Sequence, residues 1–181
     1  PEIALKAWQA LRYTGPAFLL YGSTGLMHEH ADALSLDPPI DSAPKTACKD
    51  FSRGLPCFDL NLPSPTHSIQ AGLSNPGLAE LILASIKQAT RDTLDGRTRA
   101  VVTNPISKAV LYQAGFKFPG HTEYLAKLCE DTPVLGPTGP IMMLATPELK
   151  VSLVTLHLSL RDAIEQLSTQ KIVETAEVTL H

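Results

Sequence analysis

The chain has 181 residues, 44% of them hydrophobic and 18% charged, with a net charge of −3. That apolar content excludes a disordered segment and suffices for one compact domain or most of two small ones. Lys and Arg are scattered, which speaks against a nucleic-acid surface, and the longest apolar stretches, such as Ile141 to Ala145, are strand-sized, so no membrane span is expected.

In chain order, Glu2 to Tyr13 carries Ile3, Ala7, Trp8 and Leu11 at helical spacing, behind Pro1 in the first turn. Ala17 to Tyr21 reads as a buried strand ending at Gly22-Ser23. Ser23 can cap a helix to about Leu34, with Leu26, His30, Ala33 and Leu34 near one face. Asp37 to Pro65 is rich in Pro, Asp and Ser and is expected to be irregular, with one short strand around Cys57 to Leu60. A helix from Pro76 to Leu94 follows, capped by Asn75 and ended by Gly96, with Leu78, Leu81, Ile82, Ile86 and Ala89 as its stripe.

Arg99 to Thr103 then predicts a buried strand running into Asn104-Pro105, a cap followed by Pro at the first position of a short helix to Gly115. Gly120 to Glu123 starts another helix, extending to Cys129. Pro140 to Thr146 and Val151 to Leu156 read as strands that can pair as an antiparallel hairpin. Ser159 and Asp162 have capping-box spacing, and Thr169 to Leu180 reads as a last helix. Continuous apolar strands alternating with helices predict an α/β fold with a largely parallel sheet covered on both faces. The chain opens without an initiating Met and closes inside a helical pattern, so a piece truncated at both ends is expected.

Cys48, Cys57 and Cys129 are odd in number and lack metal-type spacing. With no signal peptide in view they read as free thiols, and a cytoplasmic setting follows. Chemistry is expected in three clusters at strand ends, where α/β sheets present ligands. Asn104 and Lys108 follow the 99–103 strand and suit an anion, although a capped helix with a surface lysine explains them equally well. His121 and Thr122 follow Gly120 at a helix start, another natural anion site; by residue type alone, Thr122 as a plain cap beside an exposed His121 is the simpler reading. His157 ends an apolar strand and suits either a divalent metal or a structural hydrogen bond. His28 and His30 sit two apart and point to different helix faces, while His67 and His181 lie in a loop and at the end. Dinucleotide, P-loop, CxxC and GxSxG motifs are absent from the 181 residues.

Taken in order, VVTNPISKAVLYQAGFKFPGHTEYLA and IMMLATPELKVSLVTLHLSLRDAI resemble the 4-hydroxythreonine-4-phosphate dehydrogenase family of pyridoxal phosphate biosynthesis. The family's pattern is a T-G-P-x-x-K turn, a G-H-T-E turn, an M-M-L-A-T strand and a T-H-L-x-L-R-D segment, and the likeness spans about Ala100 to Ile164. Pro1-Glu2 also resembles the tail of the family's N-terminal G-D-P-A-G-I-G-P-E motif. Asn104 stands where the family commonly has Gly, Leu156 where it has Thr, and Ser159 where Pro is frequent.

The resemblance implies a two-domain fold similar to isocitrate and isopropylmalate dehydrogenases, with residues 1–100 in a first α/β domain and 101–181 opening a second. It implies a homodimer with the active site at the interface and no nucleic-acid or membrane partner. His121 and Thr122 would bind the phosphorylated substrate, and His157 would be one of three histidine ligands to Zn, Mg or Co, the other two lying in later family motifs. The implied reaction is NAD- or NADP-dependent oxidation and decarboxylation of 4-phosphohydroxy-L-threonine to 3-amino-2-oxopropyl phosphate. Two alternatives stand beside it: the same chemistry on a threonate or erythronate 4-phosphate, and a non-catalytic binding or dimerising fragment. The 181-residue piece alone is expected to be inactive.

Overall fold

The computed structural model describes residues 1–36, 38–42, 51–63, 73 and 75–180. Cys48, His67, His181 and parts of the irregular stretch expected after Leu36 lie outside the described residues. The chain forms two compact units, Pro1–Lys117 and Phe118–His181.

In the first unit, α1 (Glu2–Leu11) buries Ala4, Leu5 and Trp8. The expected face is rotated, and Ile3 is exposed. Trp8 sets the rotation. Its indole N–H donates to the Phe51 carbonyl at 2.8 Å, and the residues three and four positions earlier, Leu5 and Ala4, enter the core with it. Burying side chains of this size contributes about 1.5–3 kcal/mol each.

Three parallel strands carry this unit: β1 (Leu20–Gly22), β2 (Ile40–Asp41) and β3 (Leu55–Asp59), in the order β1-β3-β2. Leu20 lies opposite Cys57 and Ile40 opposite Leu55. β1 is shorter than the expected 17–21 strand, because only Leu20 to Gly22 find partners on β3. Leu55 and Cys57 of the central strand are fully buried among Leu5, Trp8, Met27, Ala31 and Phe51. Phe18 meets Phe51 edge-on at 5.1 Å.

Between β1 and β2, α2 (Thr24–Ala33) is capped by the Ser23 hydroxyl, which accepts the Leu26 N–H at 3.3 Å. Leu26, Met27 and Ala31 go inward, whereas Ala33 is exposed and His30 half-buried. Asn75 accepts the Gly77 N–H at 2.9 Å and opens a 3₁₀ turn, Pro76–Leu78, that leads into α3 (Ala79–Leu94). Leu81 and Ile86 of the expected stripe are buried, with Leu78, Ile82 and Ala89 half-buried. Gly96 ends the helix in the left-handed conformation (φ +74°) that favours glycine.

Two expectations fail just beyond. Residues 99–103 form no strand, and Val102 is 93% exposed. An apolar run becomes a buried strand only where neighbours take up its N–H and C=O groups, and no described residue does so here. The next helix, α4 (Lys108–Gln113), starts at Ser107 rather than Asn104, since the Ser107 carbonyl accepts the first helical bond, from Leu111 N–H at 3.1 Å. It closes as expected around Gly115 (φ +85°), where the Phe116 and Gly115 amides return to the carbonyls of Leu111 and Tyr112.

The second unit comprises α5 (His121–Cys129), β4 (Met143–Ala145), β5 (Lys150–Ser152), α6 (Leu160–Gln166) and α7 (Thr169–Leu180). β4 and β5 form the antiparallel hairpin, with Leu144 opposite Val151. Both strands are shorter than expected and mostly exposed rather than buried on two faces. Among the described residues of this unit only Thr175 is buried. The architecture is therefore α/β, with a parallel sheet flanked by helices in the first unit. No helix among the described residues is long and apolar enough to cross a membrane.

Candidate functional site

His121 is the first residue of α5, and its N-cap is Gly120, whose backbone is extended (φ −172°). No side chain caps this end. Thr122, which could have been the cap, instead lies within the first turn and is exposed. The first helical bond runs from the Tyr124 N–H to the Gly120 carbonyl at 3.3 Å. Phe118 and Tyr124 pack their rings 5.3 Å apart across the entry turn. Burial raises the Tyr124 phenol above its ordinary range.

The His121 Nε2 atom is buried and has no hydrogen-bond partner among the described residues. A buried ring nitrogen without a partner costs about 1–3 kcal/mol, and native structures hold few of them. Here it sits at the end of a nine-residue helix where free N–H groups and the positive dipole end favour an anion. An imidazole nitrogen, a hydroxyl and uncapped amides together make a donor set that fits a phosphate ester or a carboxylate.

His157 follows β5 by five residues, in the bend before α6, rather than ending a longer strand. It is exposed and its φ is +54°, a conformation that strains a residue with a Cβ. Such strain clusters at functional positions. Two residues later Ser159 fixes the entry to α6: its hydroxyl accepts the Asp162 N–H at 3.2 Å and donates to the Asp162 carboxylate at 2.7 Å. Among the described residues no three His, Cys, Asp or Glu side chains come together to hold a metal, so His157 has no companion ligands there.

Asn104 and Lys108 belong to the first unit and are exposed. Lys108 begins α4, but Asn104 caps nothing, and α4 has six residues and no side-chain cap. Cys57 is buried, and burial pushes its thiol up to about 12. Cys129 is a half-buried free thiol.

Two polar clusters escape a reading of the sequence. Asp59, at the end of β3, accepts the Thr24 hydroxyl, the Thr24 N–H at 2.9 Å and the Asn61 N–H at 2.8 Å. The Thr24 hydroxyl bond is the main reason its carboxyl titrates below the usual range. The protein's own carboxylate thus occupies the N-terminus of α2. In the other cluster, buried Asp92 accepts from the Tyr21 hydroxyl (2.7 Å), Gln88 (2.7 Å) and Arg97 (2.6 Å). Burial opposes the Asp92 charge, but these donors outweigh it and hold the pKa down. Both clusters join residues 35 or more positions apart, Thr24 to Asp59 and Tyr21 to Asp92, which no local spacing reveals.

The profile of the family described as pyridoxal phosphate biosynthetic protein PdxA matches residues 15–181. A 4-hydroxythreonine-4-phosphate dehydrogenase of Caulobacter vibrioides is 38% identical over 178 residues, covering 98% of this chain and 52% of the relative. One from Maricaulis maris is 41% identical over 182 residues, covering 99% and 53%. Among solved structures, a 4-hydroxythreonine-4-phosphate dehydrogenase from Burkholderia phymatum superposes with a TM-score of 0.78 at 25% identity, over 96% of this chain and 52% of that one. The Klebsiella pneumoniae structure gives 0.75 at 25% identity, over 97% and 53%. The chain spans about half the length of the curated relatives it matches.

Proposed function

The chain belongs to the pyridoxal phosphate biosynthetic protein PdxA family, and from that membership we propose that the full-length protein oxidises and decarboxylates 4-phosphohydroxy-L-threonine. The product is 3-amino-2-oxopropyl phosphate, an intermediate on the way to pyridoxal phosphate. The observation that carries the reading for this chain is the buried, unpartnered His121 Nε2 at the uncapped start of α5.

In this reading His121 and Thr122 hold the phosphorylated substrate. The Thr122 hydroxyl and the first-turn amides of α5 donate to its oxygens, and His121 Nε2 gains the partner it lacks. These contacts leave the reacting carbons untouched; they fix the substrate so that the C–H to be broken is presented in one orientation. NAD or NADP supplies the hydride acceptor. The hydroxyl carbon loses hydride and the hydroxyl its proton, and the resulting β-keto acid loses CO2. The described residues do not by themselves make up a metal site. His157 is proposed as one ligand of a divalent-metal site (Zn, Mg or Co) whose other ligands lie outside this chain. Asn104 and Lys108 are proposed as a further phosphate contact.

The same proposal covers an isocitrate/isopropylmalate dehydrogenase-like two-domain fold divided near residue 100, a homodimer with its site at the interface, and a cytoplasmic location. A threonate or erythronate 4-phosphate is the second substrate reading, favoured by Asn104, Leu156 and Ser159, which depart from the family's common residues. NADH or NADPH formation by the full-length protein on a panel of these phosphate esters separates the two. The phosphohydroxythreonine is expected to give the highest kcat/KM. A preference for a threonate or erythronate ester selects the second reading, and turnover of none of them rejects both.

A further inference from the structure

The first turn of α5 keeps its shape without a capping side chain. Its N-cap is Gly120, which has no hydroxyl or carboxylate to offer. At α2 and α6 the Ser23 and Ser159 hydroxyls accept a first-turn N–H, at 3.3 and 3.2 Å. A helix end left bare frays unless something else fixes the angle at which the chain enters it. At α5 that restraint is aromatic. Phe118, two residues before the cap, meets Tyr124, the fourth residue of the helix, with ring centroids 5.3 Å apart and ring planes inclined at 48°. Such a contact across a helix start is a hydrophobic staple moved outward by one residue. Pro119 lies between, fixing its own φ and holding Phe118 extended. Tyr124 also makes the first helical bond, from its N–H to the Gly120 carbonyl at 3.3 Å. Phe118 and Tyr124 are both half-buried, and His121 stands one turn back from Tyr124 on the same helix face.

We propose that Phe118 and Tyr124 are positioning residues whose stapled rings replace the missing cap, leaving the first-turn amides free for the substrate's phosphate while His121 keeps its place. The proposal rests on the reading of His121 and Thr122 as the substrate's anchor. A side-chain oxygen at position 120 would take the N–H of Thr122 or Glu123, the same donors that an anion needs. A staple holds the turn through apolar contact and consumes none of them. The start of α2 shows the opposite solution. There the Ser23 hydroxyl accepts the Leu26 N–H and the Asp59 carboxylate accepts the Thr24 N–H, so the protein's own side chains use the donors. A binding turn needs its donors both unspent and held still, and at α5 the ring pair meets both demands. Neither ring is assigned a contact with the substrate; each acts through the turn and through His121.

The experiment compares Phe118→Ala, Tyr124→Ala, Tyr124→Phe and His121→Ala in the full-length protein. It reads inorganic phosphate binding by calorimetry, amide exchange at Tyr124, and kinetics on 4-phosphohydroxy-L-threonine. Phe118→Ala and Tyr124→Ala should each weaken phosphate binding, raise KM and speed the Tyr124 exchange by about tenfold, the upper end for one aromatic contact. Their kcat should stay within about twofold of the parent, since the reacting carbons are untouched. The double Ala variant should lose no more than either single one, because the same contact is broken in all three. Tyr124→Phe keeps the ring and should match the parent. Should an Ala variant fail to fold, Phe118→Leu, which keeps apolar volume without a ring, should show the same pattern at about threefold. Ala variants that bind phosphate like the parent while His121→Ala does not overturn the staple and leave the substrate reading standing. His121→Ala that also binds phosphate like the parent removes the substrate reading and the proposal with it. A fall in kcat as large as the rise in KM, or a Tyr124→Phe variant as weak as Tyr124→Ala, also overturns the proposal.

Discussion

Replacing Asp92 by Ala removes the one acceptor shared by Tyr21, Gln88 and Arg97. The three bonds are unequal. Asp92 is 6% exposed, so the Tyr21 hydroxyl, held between β1 and α3, loses a charged partner that water replaces poorly. Such a bond contributes about 1.5–3 kcal/mol. Arg97 is exposed and already paired with Asp95 at 2.7 Å, so its arm, screened by solvent, adds little. Gln88 lies between these cases. The Arg97 and Thr98 amides bond to the Asp92 main-chain carbonyl, and that tie survives the substitution. The expected loss is about 2–4 kcal/mol. Trp8 is the chain's single tryptophan and is fully buried in the same unit, so its fluorescence during urea unfolding reports this loss directly. Asp92→Asn keeps an acceptor for Tyr21 and should cost about half as much. A folded pKa below the usual carboxylate value of 3.8 means the charge stabilises the fold above that pH. The stabilisation then fades as pH falls through the lower, folded value. Asp92→Asn should therefore flatten the decline in stability below about pH 4. An Ala variant within about 0.5 kcal/mol of the parent, with the acid limb unchanged, refutes the role assigned to Asp92.

Other outcomes follow from the same reasoning. Asp59→Ala removes the acceptor at the start of α2 and should lower stability by about 1–2 kcal/mol, read by the same Trp8 unfolding curve; equal midpoints would show the contact to be incidental. His157→Gly relieves a left-handed conformation and should raise the thermal midpoint by the equivalent of up to about 1 kcal/mol while turnover by the full-length protein is lost. A stabilised variant that keeps its turnover removes His157 from the site. His121→Ala should raise KM far more than it lowers kcat, and unaltered kinetics would detach it from the substrate. A thiol reagent near pH 8 should modify Cys129 and spare Cys57, as peptide mapping can show, because burial keeps the Cys57 thiol protonated.

How much of this was legible in the sequence depends on where each partner lies. Ser23, Asn75, Ser159, Gly96 and Gly115 act within one turn of their own position, and each caps or ends its helix as the residue type predicts. The α/β class and the β4–β5 hairpin were equally readable, since alternating elements and a four-residue turn are local patterns. What failed needed distant information. The rotation of α1 is set by the Phe51 carbonyl, 43 residues from Trp8. The strand expected at 99–103 finds no neighbour among the described residues, and β4 and β5 are not covered on two faces, so apolar sequence did not become buried strand. Of the candidate site, the start of α5 was legible from Gly120 to Glu123, but the burial of His121 Nε2 was not, because burial is a property of the fold around the ring. The positive φ of His157 was also invisible, since nothing in Leu156-His157-Leu158 marks a left-handed residue.

The most direct test of the central reading is to follow reduced nicotinamide and CO2 together when the full-length protein acts on 4-phosphohydroxy-L-threonine. Oxidation followed by loss of the carboxyl group predicts that both appear in equal amounts, and that both fall together in His121→Ala. Reduced nicotinamide without CO2, or neither product from any of the four-carbon acid phosphates, contradicts it.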